Sequence, residues 1–306
     1  MQVLALIAGV VLAGIGGDRF VRGCVGTSLR LRVPVVVVAT TLAAFATSSP
    51  ELVIALMAAS EGRSEVAFGD ASGSTLVNLG VVLALSLLAV PVVLRFGEVR
   101  REIIVTVSAI AILLVVSIDG TIGRIDGALL LLLFVGWIFL SIRFARDSRH
   151  SEIEELSEPN PTRATVDLII GLVMLITAGR LVLVGAEWIG QSLGLGDFII
   201  GTVLVAIATS VPEFATSMIA ILRRHSGVSV GTLLGSNVFN MAFVVAVAAE
   251  VDPIEVRWTE VSVPLAFGAA VTLLVIPGPT HRLGRYRGVV LFVTYGLSMT
   301  LLFLLR

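Results

Sequence analysis

The chain contains no lysine, and all 21 of its basic residues are arginine. Charge of either sign is scarce: 14% of residues are charged, 57% are apolar, and the mean hydropathy is +1.03. That balance excludes a soluble domain and predicts a polytopic membrane protein, with the lipid bilayer as its principal partner. Cysteine is represented by Cys24 alone, which excludes an internal disulfide and fits a small apolar packing residue. The three histidines, His150, His225 and His281, fall beside arginines in polar loops, where they are read as solvated. No nucleotide-binding motif is present, which argues against an ATP-driven pump, and nothing points to nucleic acid or to an obligatory protein partner. The first residues, Met1-Gln-Val-Leu-Ala-Leu-Ile, lack a basic n-region and are read as the start of a helix, not as a signal peptide.

What the chain has in abundance is apolar runs of about 20 residues, long enough to span a bilayer. They fall at 2–21, 35–59, 69–94, 102–118, 126–144, 165–189, 197–222, 228–249, 259–277 and 286–305. The expected fold is all-α, with ten transmembrane helices. The loops after odd-numbered spans carry most of the arginines: Arg19, Arg22, Arg30, Arg32, Arg95, Arg100, Arg101, Arg143, Arg146, Arg149, Arg163, Arg223, Arg224, Arg282, Arg285 and Arg287. The even loops carry Arg63, Arg124 and Arg257. The positive-inside rule therefore puts the odd loops in the cytoplasm and both termini outside.

The chain also repeats itself. At a constant offset of 162 residues, Leu42, Ala44, Ala46, Thr47, Ser48, Pro50 and Glu51 meet Leu204, Ala206, Ala208, Thr209, Ser210, Pro212 and Glu213. Further on, Gly69, Gly73, Ser74 and Asn78 meet Gly231, Gly235, Ser236 and Asn240. Shared apolarity cannot explain matches that include Thr, Ser, Pro, Glu and Asn, so the chain reads as a duplication. Five helices, an odd number, make the second copy enter inverted, with discontinuous helices at the midplane. The expected organisation is a first repeat over 1–144, a cytoplasmic linker over 145–164 and a second repeat over 165–306. The linker's acidic cluster (Glu152, Glu154, Glu155, Glu158) lacks the alternating ligands and turn glycine of a calcium loop and reads as a solvated connector.

Glu51 and Glu213 each follow a proline within an apolar stretch, and an intramembrane acid marks a functional site by default. Pro50 and Pro212 remove a backbone donor and are expected to free carbonyl oxygens one turn back, near Ala46 and Thr47, and near Ala208 and Thr209. Thr47 and Ser48 lie four and three residues before Glu51, and Thr209 and Ser210 repeat this before Glu213, which places hydroxyls beside each carboxylate. Ser74 and Asn78 are four apart, as are Ser236 and Asn240. This donor set is oxygen only, which selects hard cations over zinc or copper. Two ionised glutamates are balanced by one Ca²⁺, two Na⁺ or two protons. Asp18, Asp70, Arg180 and Glu187 are read as lying near helix ends, anchoring or pairing at the interface.

At these residues the chain resembles the calcium/cation antiporter superfamily, and within it the prokaryotic sodium/calcium exchangers. The resemblance is carried by Ala46-Thr-Ser-Ser-Pro-Glu51 with Gly69 to Asn78, and by Ala208-Thr-Ser-Val-Pro-Glu213 with Gly231 to Asn240. It implies a non-enzymatic antiporter of the cell membrane that needs no cofactor and carries Na⁺ inward to expel Ca²⁺. Glu51 and Glu213 would be central ligands. Thr47, Thr209, Ser74 and Ser236, with the backbone oxygens of Ala44 and Ala206, would complete flanking Na⁺ sites, and Asn78 and Asn240 would face the middle. Two departures from the family pattern stand out. Sodium-coupled members commonly have aspartate where this chain has Asn240, which leaves at most two carboxylates in the expected site. Position 75 is threonine where asparagine is more usual. Thr-Ser before each proline favours sodium coupling over the alternative, a proton-coupled exchanger. A reading of another class, a non-transporting membrane sensor or scaffold, would require an appended domain or a long loop. An enzyme would require a base beside Ser48 or Ser210, and no histidine occurs in the repeated motifs.

Overall fold

The computed structural model describes residues 2–31, 33–147, 161–193 and 200–304. The acidic linker cluster, His150 and the start of the seventh expected span lie outside the described residues. The fold is mostly helical. Five helices are long and apolar enough to cross a membrane: Ser64–Ala89, Phe96–Asp119, Arg124–Ala145, Ser226–Val251 and Arg285–Leu304; counting Val11–Leu31 with Val35–Thr47 as one bent span makes six. Shorter apolar helices occupy Ser49–Ser60, Val211–Leu222 and Trp258–Leu274. Helices suit this sequence because hydrocarbon offers no hydrogen bonds and a helix satisfies its own backbone.

Two of these helices form the centre. Ser64–Ala89 is 83% buried and Ser226–Val251 is 89% buried, whereas Arg124–Ala145 and Arg285–Leu304 are less than a third buried and turn apolar surface outward. The central pair carries the repeated glycines, which permit close approach of backbones. A Cβ on Gly73 would collide with the Thr202 carbonyl oxygen, and one on Gly235 with the Thr40 carbonyl oxygen. These contacts exchange partners under the 162-residue offset. Both central helices stop at the same place: Val90 and Asp252 adopt extended conformations immediately before Pro91 and Pro253, as residues preceding proline prefer.

The boundaries differ from the apolar runs in instructive ways. The first helix extends over Gln2–Leu31, so Arg19, Arg22 and Arg30 sit on it and not in a loop. They are held by neighbours: Arg22 lies 3.0 Å from Asp18, Asp18 also pairs with Arg223, and Arg30 donates to Thr165. Asp18 therefore does pair, but well inside a helix. The fourth helix begins at Phe96, six residues before the apolar run, so Arg101 and Glu102 lie on it, where they pair at 3.6 Å and the Arg101 guanidinium lies 4.0 Å from the Phe144 ring centroid. The all-α expectation is also modified by two antiparallel strand pairs. Val92–Val93 pairs with Arg282–Leu283, and Thr121–Ile122 pairs with Ile254–Glu255, tying loops from opposite halves of the chain.

Gly73→Ala and Gly235→Ala each force a methyl group against backbone and are expected to cost about 1–3 kcal/mol, the usual range for overpacking. Gly136→Ala, with nothing within 4 Å of its Cβ, is the neutral control. Melting temperatures in detergent, followed by size-exclusion of heated samples, separate the two groups.

Candidate functional site

Each repeated motif folds as one helix that stops and another that starts. Ala44–Thr47 ends at Ser48 (φ −86, ψ 10), and Ser49–Ser60 begins with Pro50 in its first turn. Ala206–Thr209 ends at Ser210 (φ −75, ψ 4), and Val211–Leu222 begins with Pro212. Proline is tolerated there because the first turn's N–H groups have no helical acceptor. The same geometry puts Glu51 and Glu213 in first turns, where the helix dipole favours negative charge. The break is a single residue wide. The Ser48 N–H donates to the Ala44 carbonyl (2.9 Å) and the Ser210 N–H to the Ala206 carbonyl (3.1 Å), and each carbonyl also accepts from the adjacent threonine hydroxyl at 3.3 Å. The Ala44 and Ala206 oxygens thus engage their own helices.

The structure brings the expected side chains together in a region without solvent exposure. Thr47, Ser48, Glu51, Ser74, Asn78, Glu213, Ser236 and Asn240 are wholly buried, and Thr209 and Ser210 nearly so. Glu213 Oε1 accepts from Ser48 Oγ and Ser236 Oγ, both at 3.1 Å, which joins the two motifs directly. Thr47 Oγ1 lies 3.5 Å from Ser236 Oγ, and Thr209 Oγ1 lies 3.2 Å from Ser74 Oγ, again a pair of contacts related by the 162-residue offset. Asn78 Nδ2 donates to Asn237 Oδ1 (3.0 Å), and Asn237 Nδ2 to the Thr75 carbonyl (3.3 Å). Of the two departures, Thr75 joins this network through its backbone, and Asn240 is buried one turn beyond Ser236 on the same central helix.

Among the described residues, several oxygens in this region have no protein partner. Both Glu51 oxygens, Glu213 Oε2, Asn78 Oδ1, Ser210 Oγ and both polar atoms of Asn240 are buried and unpaired. Buried polar groups in proteins are normally satisfied, and each exception calls for an explanation. No arginine is among the groups that act on the two glutamates. A cation supplies both missing elements, charge and coordination.

One residue corrects the sequence reading. Asp70 was expected near a helix end because the third span was taken to start at 69. The helix begins at Ser64, so Asp70 lies well inside it, fully buried. Its Oδ1 accepts from Thr209 Oγ1 (3.1 Å) and Ser74 Oγ (3.3 Å), and its charge acts on Glu51. The region holds three carboxylates, not two. The signal was in the spacing, since 70, 74 and 78 are successive steps of four and share a helix face. Among the described residues no three His, Cys, Asp or Glu side chains converge as one metal-holding group, so hydroxyls and amides must supply much of any coordination.

Unseen in the sequence were four π-helical turns: Ala39–Ala43, Asn78–Leu83, Ile200–Val205 and Phe239–Val244. They occupy near-equivalent positions in the two halves and lead into or follow the polar motifs. Such turns recur at functional sites.

A helical membrane fold with a buried, oxygen-only polar centre and unpaired carboxylates defines a cation transporter. A family model, sodium/calcium exchanger protein, matches residues 1–143 and 164–304, and the chain belongs to that family. A relative named as an antiporter, CaxA of Alkalimonas amylolytica, is 30% identical over 304 residues, covering 95% of each chain. The sodium/calcium exchanger MaX1 of Methanosarcina acetivorans is 40% identical over 88 residues, 29% of this chain and 25% of that one. Among solved structures, the sodium-calcium exchanger NCX_Mj soaked with Na⁺ and Sr²⁺ superposes with a TM-score of 0.83 at 27% identity, covering 98% of this chain and 97% of that one. The protein is a membrane cation/Ca²⁺ antiporter of a transporter family, not of an enzyme class.

If the unpaired oxygens are cation ligands, Ca²⁺ stabilises the native protein by mass action, about 2.7 kcal/mol at a concentration 100 times its Kd. Glu51→Gln and Glu213→Gln are expected to abolish the Ca²⁺-dependent rise in melting temperature in detergent while leaving the cation-free protein folded.

Proposed function

We propose that the chain exchanges Na⁺ for Ca²⁺ by alternating access, using the inward Na⁺ gradient to expel Ca²⁺ from a prokaryotic cell across its inner membrane. The observation that carries this reading is the pair Glu51 and Glu213, buried in matching first turns with three of their four carboxylate oxygens unpartnered. Hard oxygen donors of mixed type suit Ca²⁺ and Na⁺ better than Mg²⁺, which dehydrates reluctantly and demands octahedral geometry. Thr47, Ser48, Thr209, Ser210, Ser74, Ser236, Asn78 and Asn240 complete the ligand set, with the Ala44 and Ala206 carbonyls contributing once their helices relax.

The architecture we infer is ten spans in two inverted five-helix repeats, 1–144 and 165–306, joined by a cytoplasmic linker over 145–164, with both termini outside. Support comes from contacts that exchange partners at the 162-residue offset in glycine packing and hydroxyl pairing alike, and from two strand pairs that correspond with a slip of one residue. The arginine distribution sets the orientation. Substrate sites at the interface of inverted repeats near the midplane are the rule in such transporters.

Purified protein in Na⁺-loaded liposomes, diluted into Na⁺-free buffer, is expected to take up radioactive Ca²⁺, and Glu213→Gln is expected to reduce the rate by at least tenfold. Uptake driven by an imposed pH gradient alone would assign proton coupling, and no uptake under either gradient would overturn the antiport reading.

A further inference from the structure

The two halves of the site differ in charge, and the difference lies at one position. Asp70 stands where the offset places Thr232 in the other half. Around it, Ser74 and Thr209 form a hydroxyl pair whose counterpart is Ser236 and Thr47. Ser236 donates to Glu213, but its equivalent Ser74 donates to Asp70, and Thr209 donates there as well. Glu51 is consequently left with neither oxygen partnered, and Asp70 Oδ2 is buried and unpartnered too. Arginine is not among the groups acting on Asp70. Asp70 is bonded to Ser74 and Thr209, whereas Glu213 is bonded to Ser48 and Ser236, so Asp70 lies on the Ser74–Thr209 flank of the site.

We propose that Asp70, with Ser74 and Thr209, makes a charged subsite that retains one monovalent metal cation while Ca²⁺ occupies the glutamate site. The inference rests on the antiport reading above and adds to it the composition of the cargo. Three ionised carboxylates carry −3. Three Na⁺ neutralise them, whereas one Ca²⁺ leaves −1 in a buried, low-dielectric region where an uncompensated charge is costly. One further monovalent cation removes that deficit, so each loaded form carries three positive charges. One carboxylate oxygen and two hydroxyls around a single charge suit Na⁺ or K⁺; a second divalent ion would bring more charge than the residues offset.

Equilibrium binding of ²²Na⁺ to purified protein in saturating Ca²⁺ tests this, with unlabelled K⁺ and Li⁺ as competitors to identify the preferred ion. Wild type is expected to retain about one monovalent ion per chain, and Asp70→Thr, which reproduces the residue at 232, and the near-isosteric Asp70→Asn are expected to lower its affinity at least tenfold while still binding Ca²⁺. Retention of the ion in both variants, or no retained Na⁺ and no competing K⁺ in wild type, would overturn the proposal. The liposome assay is scored separately: loss of Na⁺-driven Ca²⁺ uptake in wild type counts against the antiport reading, whereas wild-type exchange with unaltered ion retention in Asp70→Thr counts against this inference alone.

Discussion

Negative charge buried among hydroxyls and amides is the constraint on which this molecule is built. A charged side chain at the centre of a bilayer costs on the order of 3 kcal/mol even on insertion scales. Glu51, Glu213 and Asp70 are fully buried, and arginine is not among the groups acting on them. First-turn placement offsets part of the cost for Glu51 and Glu213, and serine and threonine donors offset part of it for Glu213 and Asp70, while neither Glu51 oxygen has a hydrogen-bond partner among the described residues. Mobile positive charge would offset the remaining cost, and mobile positive charge is what a cation antiporter handles.

Assembling that centre demands backbones at unusually close range. Gly73 against the Thr202 carbonyl and Gly235 against the Thr40 carbonyl bring each central helix onto the segment leading into the opposite motif. The π-helical turns at Ala39–Ala43 and Ile200–Val205 include Thr40 and Thr202. Close packing, loosened backbone pairing and ligand placement are therefore one device, used once in each half. These turns lead directly into the motif helices Ala44–Thr47 and Ala206–Thr209.

The match between halves is not complete. Hydroxyl pairs and helix stops before proline follow the 162-residue relation, and the strand pairs follow it with a slip of one residue, yet Thr232 stands at the position equivalent to Asp70, and Ser48 donates to Glu213 while Ser210 Oγ has no partner among the described residues. Sequence reading found the relation because it rests on identical residues in register. The charge of the site exceeds the expected two carboxylates because the helix carrying Asp70 begins at Ser64, five residues ahead of the apolar run, which puts Asp70 well inside it.

By itself the sequence determined the class, the duplication and the central pair of glutamates, since hydropathy, matched polar residues and intramembrane acids are properties of residues in order. Proline then shortens the expected 69–94 span, because the central helices stop at Ala89 and Val251 ahead of Pro91 and Pro253, and Pro50 and Pro212 sit in the first turns of new helices. Tertiary structure alone decided that Asp70 joins the site, that Ser48 reaches Glu213 across the motifs, and that Glu51 is left unpaired. These are contacts between residues more than a hundred positions apart, set by how closely glycine lets two helices approach, and no local pattern encodes that distance.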